Sequence, residues 1–169
     1  MRWTSTEVAL CGVAATLIVA VIGALAAYLA AKRERRRALY AEAVQVIASW
    51  KEMLYRVRRR KTDDDPDLVG QFHGLQDKLT YYCAWIATES KYMSRSYSRL
   101  VQQVKAATDA LIQQAWDESV RSGSGKAKPD DVHPDIGNYL DDFARDCRSH
   151  LSPFPWRKIA VAWRNRSRD

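Results

Sequence analysis

The first feature of the hydrophobic pattern is an apolar run near the N-terminus, VALCGVAATLIVAVIGALAAYLAA, over residues 8–31. These 24 residues contain no charged side chain, and a helix of that length measures about 36 Å. Because the hydrocarbon core of a bilayer is about 30 Å thick, residues 1–31 are predicted to form a transmembrane anchor. A cleaved secretory signal is the competing interpretation, but the apolar region of such a signal is usually only about 7–15 residues long.

Beyond the anchor, apolar positions recur every three or four residues, which is typical of helices that bury one face. The stem helix, residues 32–61, shows this at Leu39, Ala43, Val46, Trp50, Met53 and Val57, flanked by Tyr40, Ile47 and Leu54. The next two runs are Leu68, Phe72, Leu75, Leu79, Tyr82, Ile86 and Met93, then Tyr97, Leu100, Val104, Ala107, Leu111, Ala115 and Trp116. After the Gly- and Ser-rich linker at residues 122–134, Pro134 is predicted to open a helix with Ile136, Leu140, Phe143, Cys147 and Leu151 on one face.

The sequence alone leaves open whether residues 67–121 form one helix or two, because the apolar phase slips by one residue between Met93 and Tyr97 and no Gly or Pro marks the slip. A single helix over residues 66–121 would be about 84 Å long, whereas the stem is about 45 Å long. A turn within ESKYMSRSYS gives helices of matching length. The predicted fold is therefore all-α: a single N-terminal transmembrane helix, continuous with a cytoplasmic antiparallel bundle over residues 32–61 and 62–151, and a C-terminal amphipathic helix within residues 152–169.

The tail, residues 152–169, combines tryptophans with cations. Trp156, Ile159, Ala160 and Trp163 share one helical face, and basic residues surround them. This composition is typical of a helix lying in the interface of an anionic membrane. The predicted lipid-surface contacts are Arg33, Arg35, Arg36, Arg37, Trp156, Arg157, Lys158, Trp163 and Arg164. Packing of the tryptophans into the bundle, or binding of a nucleic acid or another partner, are the alternatives.

Charge is distributed unevenly along the chain, and this distribution bears on the orientation of the anchor and on the kind of partner. The stem carries eleven Lys and Arg against three Glu, residues 157–169 carry five against Asp169, and the segment between them is acidic. Because Lys and Arg beside a span stay on the cytoplasmic side, KRERRR at residues 32–37 predicts an outside N-terminus and a cytoplasmic C-terminal domain. An acidic middle between two basic segments also makes a nucleic-acid partner unlikely.

Within the anchor, Gly12, Thr16, Ala20 and Ala24 recur every fourth residue. Small residues at this spacing let helix backbones approach closely in lipid. The row predicts a helix–helix interface in the membrane and hence a homo-oligomer. The alternative is that the span lies singly in lipid.

The sequence contains no motif of a known catalytic or phosphate-binding site. Cys147 and His150 could share a helical face, but two residues do not make up a zinc site. Cys11, Cys83 and Cys147 form no C-x-x-C pair and suggest no disulfide framework. We therefore expect no catalytic residue, no metal site and no cofactor.

These features lead us to expect a non-catalytic scaffold or regulatory subunit, anchored in the cell membrane by one span. Its expected partners are the lipid bilayer, a cytoplasmic protein and copies of itself. A membrane-perturbing or signalling effector of a bacterial or phage conflict system is the alternative. A third hypothesis is an enzyme whose site includes Asp146, Cys147 and His150.

Overall fold

The computed structural model describes residues 5–61, 66–118 and 132–166, with side chains described from Gly12 onward. Over these ranges the structure is helical and contains no strand. The helices are α1 (Ser5–Arg58), α2 (Pro66–Glu89), α3 (Lys91–Asp117), α4 (Gly137–His150) and α5 (Pro155–Arg164). Residues 119–131, which include most of the linker predicted at 122–134, and residues 62–65 lie outside the described ranges. Contacts divide the chain into an N-terminal unit, Met1–Ala38, and a C-terminal unit, Leu39–Asp169.

The N-terminal unit consists of the apolar part of α1. An 18-residue window in this helix has a mean hydropathy of 2.4, and none of the window is buried within the protein. Its large apolar side chains are exposed, among them Val13, Leu17, Ile18, Val21, Ile22 and Leu25. Among the described residues, this one helix is therefore long and apolar enough to cross a membrane. A secretory signal would form the same helix, so its retention and its orientation stay predictions.

The C-terminal unit begins at Leu39 and is a bundle whose helices alternate in direction. Late in α2, the Tyr82 hydroxyl donates to Glu42 Oε2 of α1 at 3.0 Å. Early in α2, Phe72 packs on Trp50, which lies further along α1 than Glu42, at 5.6 Å between ring centroids. Helix α2 is therefore antiparallel to this part of α1.

The same kind of contact gives the directions of α3 and α4. The Tyr97 hydroxyl donates to the Ala43 carbonyl, and Trp50 Nε1 donates to Thr108 Oγ1, so α3 runs parallel to α1. Tyr40 contacts both Phe143 and His150 near the end of α4, while Tyr55 pairs with His133 before its start. The predicted out-and-back arrangement of helices is confirmed.

Ser90 separates α2 from α3, so the structure decides the question that the sequence left open in favour of two helices, with the break inside ESKYMSRSYS. Its backbone is extended, at φ −165° and ψ 118°, and its hydroxyl accepts from the Met93 backbone N–H. A serine in this position satisfies one of the N–H groups that a helix start leaves without an intrahelical partner. The hydroxyl therefore stabilises a break that neither Gly nor Pro marks.

The predicted core of the stem is confirmed, since all nine apolar residues from Leu39 to Val57 named above are buried. In α3 the buried positions include Thr108 and Ile112, which the apolar pattern did not select; Ala107 and Leu111 are only partly buried. Thr108 occupies a core position because its hydroxyl accepts from Trp50 and donates to the Val104 carbonyl.

The start of α4 differs from the prediction by three residues. The helix begins at Gly137 rather than Pro134. Pro134 and Ile136 are buried ahead of the helix, and the Asp135 carboxylate accepts from the Gly137 N–H at 2.9 Å. This short turn leads the chain into α4. Pro134 therefore lies before the helix and not at its first position.

Candidate membrane-contacting surface

Helix α5 forms the most exposed apolar face of the bundle. It begins after Phe154 with Pro155 at the first helical position, where the fixed φ of proline suits a helix start. Trp156 and Trp163 are 61% and 72% exposed, and Ile159 is 60% exposed. The predicted apolar face exists, and it points away from the bundle. Core packing is therefore not the role of these tryptophans in the described structure.

The opposite side of α5 holds the helix on the bundle. Val161 and Asn165 are buried, and Ala160 is half-buried. The Asn165 carbonyl accepts from Arg95 Nη1 at 3.2 Å, which ties the end of α5 to the first turns of α3. The helix is thus fixed by one side while its aromatic side stays open.

A buried carboxylate, Asp146 in α4, organises this attachment. Its side chain is 7% exposed, and both oxygens accept hydrogen bonds. Ser96 Oγ and Asn165 Nδ2 each donate to Oδ2 at 2.8 Å. Arg164 donates to Oδ1 through Nε at 2.9 Å and Nη2 at 2.7 Å. Because several donors compensate the desolvated charge, Asp146 joins α3, α4 and α5.

The predicted lipid-contact residues of the tail have different surroundings. Arg157 and Lys158 are exposed, whereas Arg164 is engaged with Asp146 and also lies 3.4 Å from Ser149 Oγ. Phe154, which the sequence pattern did not select, is half exposed and stacks on Trp156 at 4.6 Å between centroids. Its position directly before the proline of the tail helix is the signal that could have identified it.

The other predicted surface residues belong to the N-terminal unit. Arg33, Arg35 and Arg37 are exposed and Arg36 is partly buried. The row of small residues at positions 12, 16, 20 and 24 is also exposed, and the Thr16 hydroxyl donates to the Gly12 carbonyl at 2.9 Å. The row is open to a second helix, but its role in association stays a prediction.

Arg60, from the basic cluster that ends the stem, has a structural role. It is buried, and its guanidinium donates to the carbonyls of Ala115, Trp116 and Glu118 at the end of α3, with 2.9 Å to Trp116. The guanidinium also lies 5.2 Å from the centroid of the Trp116 ring. A cation here satisfies carbonyls that the helix end leaves unpaired and complements the helix dipole.

A groove of about 350 Å³ opens between α1, α2 and α3. Its aromatic wall contains Trp50, Phe72 and Trp116, and its polar rim includes Lys105 and Asp109. Lys105 Nζ lies 5.0 Å from the Trp50 ring centroid. Partial burial raises the pKa of Asp109, an effect that the Lys105 charge opposes. The groove thus offers an apolar wall edged by both charge signs.

Of the residues of the enzyme hypothesis, Asp146 is engaged by donors from α3 and α5, and Cys147 is partly buried. Burial, and secondarily the charge of Asp146, raises the pKa of the Cys147 thiol to about 12, so the nucleophilic thiolate is scarce at neutral pH. Within the described part of the chain, no three His, Cys, Asp or Glu side chains are grouped to hold a metal ion. The expectation of a non-catalytic protein is not tested by this geometry.

The bundle thus has two candidate surfaces. One is the exposed face of α5, held in place by the Asp146 network, and the other is the groove beside Trp50. Comparison of the chain with protein-family models, with curated proteins and with solved structures finds no match.

Proposed function

We propose that the protein is a single-pass membrane-anchored scaffold or regulatory subunit, whose cytoplasmic bundle rests on the membrane through α5. The observation that carries this proposal is the outward presentation of Trp156, Ile159 and Trp163. Transfer of such exposed Trp side chains into the headgroup region is favourable, because the apolar ring faces the acyl chains while the indole N–H stays in contact with water. Burial of each large apolar side chain contributes about 2 kcal/mol.

The charges beside this face support an anionic surface as the target. Arg157 and Lys158 are exposed next to Trp156. A basic residue close to an anionic leaflet contributes about 1 kcal/mol before screening. Arg164 has a different role from Arg157 and Lys158, because its ion pair with Asp146 holds α5 in the orientation that exposes the tryptophans.

The placement of α5 in the bundle supports contact with the membrane that anchors the chain. Leu39, the first residue of the bundle, directly follows the N-terminal unit in the sequence. Helix α5 attaches to Arg95 and Asp146, near the start of α3 and the end of α4. Since α3 runs parallel to α1 and α4 runs antiparallel to it, these positions lie at the end of the bundle where Leu39 lies.

The groove beside Trp50, which lies away from α5, is the observation that favours a protein partner. Aromatic side chains with a charged rim are typical of protein–protein contact surfaces. The groove lies far along α1 from Leu39, so a partner bound there would not compete with α5 for the membrane. This division of surfaces suits a scaffold better than an isolated membrane-active peptide.

The test maps accessibility in intact cells and in inverted membrane vesicles, using single cysteine reporters near Thr4, Ser124 and Ser167 in the full chain. We expect the reporters near Ser124 and Ser167 to be accessible only from the cytoplasmic side. We also expect docking of α5 on the membrane to slow the reaction of the Ser167 reporter from that side, and the combined Trp156→Ser and Trp163→Ser changes to remove this shielding.

Val132→Ser is the matched control, because Val132 is exposed to a similar degree but lies near Arg58 at the other end of the bundle. Exposure of the Ser124 reporter outside the cell, or cleavage near Ala31 with secretion, would refute the proposed topology. Toxicity on expression that the two Trp→Ser changes abolish would favour the membrane-perturbing effector.

A further inference from the structure

A second group of exposed aromatic side chains lies at the junction of α2 and α3. Tyr81 and Trp85 of α2 are 52% and 49% exposed and lie 5.5 Å apart between ring centroids. Tyr92, in the first turn of α3, is also exposed. The neighbouring Tyr82 and Ile86 are the residues of this stretch that pack in or against the core, and Tyr81 contacts Tyr82 at 5.2 Å between ring centroids. We call Tyr81, Trp85 and Tyr92 the corner patch.

The corner patch and α5 lie at the same end of the bundle. Tyr82 contacts Glu42, one turn beyond Leu39. Because α2 runs antiparallel to α1, Trp85 and the α2–α3 junction lie further toward the Leu39 end than Tyr82 does. Tyr92 lies one turn before Arg95, which binds the end of α5. Two exposed aromatic surfaces on different helices therefore share one end of the bundle.

The chemistry of the corner patch fits the headgroup region of a bilayer. Tyr and Trp combine an apolar ring with a hydroxyl or an indole N–H, and both are enriched at membrane–water interfaces. The exposed Lys78 and Lys91 flank the patch together with one exposed carboxylate, Asp77, while Glu89, beside Ser90, is half-buried. Cations around amphipathic aromatic side chains match an anionic lipid surface in charge as well as in polarity.

We propose that the corner patch is a second lipid-contact site, so that the bundle meets the anionic membrane at two places, α5 and the α2–α3 junction. This inference rests on the proposed function, in which α5 contacts the same membrane. A single docked helix would leave the bundle free to swing about it. A second contact restrains this swing and keeps the groove beside Trp50 turned toward the cytoplasm.

The test places an environment-sensitive NBD label at single positions of the full-length protein, with Cys11, Cys83 and Cys147 replaced by Ala. The labelled variants are Trp85→Cys, Trp163→Cys and Val69→Cys, each reconstituted in vesicles of phosphatidylcholine and phosphatidylglycerol. Val69 is the matched control, since it is an exposed apolar residue of α2 near the opposite end of the helix. Lipids carrying a headgroup nitroxide serve as quenchers, and circular dichroism checks that each variant keeps its helix content.

We expect the labels at positions 85 and 163 to show comparable loss of emission with nitroxide lipid, and the label at position 69 to show none. Tyr81→Cys provides a second probe of the patch if Trp85→Cys loses helix content. In the position-85 variant, changing Lys78 and Lys91 to Glu should reduce the quenching.

Quenching at position 163 without quenching at 85 or 81 overturns the corner patch and leaves the proposed function standing. Quenching at neither surface overturns both. Equal quenching at positions 69 and 85 shows that the bundle lies on its side and overturns the two-point contact. A blue shift at position 85 that grows with protein density, without quenching by lipid, assigns the patch to a second copy of the chain instead.

Discussion

At the scale of single residues, buried charges determine how the helices are joined. Arg60 follows α1 in the chain and caps the end of α3, and Asp146 in α4 receives donors from α3 and from the end of α5. Each group is desolvated, so it stabilises the fold only with its partners in place. Both lie far in sequence from the groups they bind, and for this reason helical periodicity did not reveal them.

Replacement of Asp146 by Asn tests the network under α5. The change removes the ion pair with Arg164 and turns an amide toward donors from Ser96 and Asn165, so we expect the free energy of unfolding to fall by about 3 kcal/mol. Urea denaturation of the full chain in detergent micelles, followed by circular dichroism, measures this loss.

Asp142→Asn is the control for that measurement. Asp142 forms an exposed ion pair with Arg145 one turn away, and such pairs contribute about 0.5 kcal/mol or less. Equal losses in the two variants would show that the Asp146 network has no special role in stability.

At the scale of elements, helix ends determine the architecture more than helix interiors do. The stem, α2 and α3 each have enough apolar residues to form a buried face. The chain becomes a bundle because α2 ends before Ser90 and because the Asp135 turn precedes α4. A continuous helix in place of α2 and α3 would leave the faces of both without the antiparallel neighbour that buries them.

The serine cap of α3 gives a prediction at this scale. Ser90→Ala removes the acceptor for the Met93 N–H, and we expect the bundle to lose about 1 kcal/mol of stability. Thermal unfolding of the full chain, followed by circular dichroism, measures this loss.

Ser49→Ala provides the contrast for the cap. The Ser49 hydroxyl bonds back to the Gln45 carbonyl inside α1, where alanine is the better helix former. We expect this variant to be as stable as the unchanged protein or slightly more stable. A Ser90→Ala variant that unfolds at the same temperature would show that backbone packing alone sets the break.

At the scale of the whole molecule, the chain combines an apolar N-terminal unit with a bundle that exposes aromatic residues near Leu39. The core of the bundle is closed by its own residues, so an interaction between copies does not need to involve it. The exposed row at positions 12, 16, 20 and 24 is a face of the described span at which a second helix can approach closely.

Association through the span can be tested by enlarging this row. Ala20→Leu places a branched side chain where two backbones would meet, so we expect dimer formation to fall clearly. Energy transfer between donor- and acceptor-labelled copies in vesicles measures the loss.

Ala14→Leu makes the same chemical change away from this row and should leave energy transfer unchanged. Equal transfer in both variants and in the unchanged protein would contradict association through the row. A monomeric parent protein would do so as well.

Which features could be predicted from the sequence depends on how far apart along the chain the interacting residues are. The nine buried residues of the stem were identified from spacing, because burial on a helix repeats with the turn of the backbone. Thr108 was missed because it is a polar side chain that takes a core position through a distant partner, Trp50. Ile112, one turn further along α3, was missed because the apolar pattern selected Leu111 instead. For the tail, spacing identified the face that carries Trp156 and Trp163, but it left open whether that face points into the bundle or away from it.

The local pattern of residues was enough to predict the apolar helix, the all-helical fold and the amphipathic character of the tail. Hydropathy and helical period are properties of neighbouring residues, so they can be read along the chain. The folded structure was needed to place the helix break at Ser90 and to show that Arg60 caps α3, that Asp146 holds α5, and that aromatic residues of two helices lie exposed at one end of the bundle. These features depend on contacts between segments tens of residues apart, where packing and the need to pair buried charges select among arrangements that local patterns treat as equal.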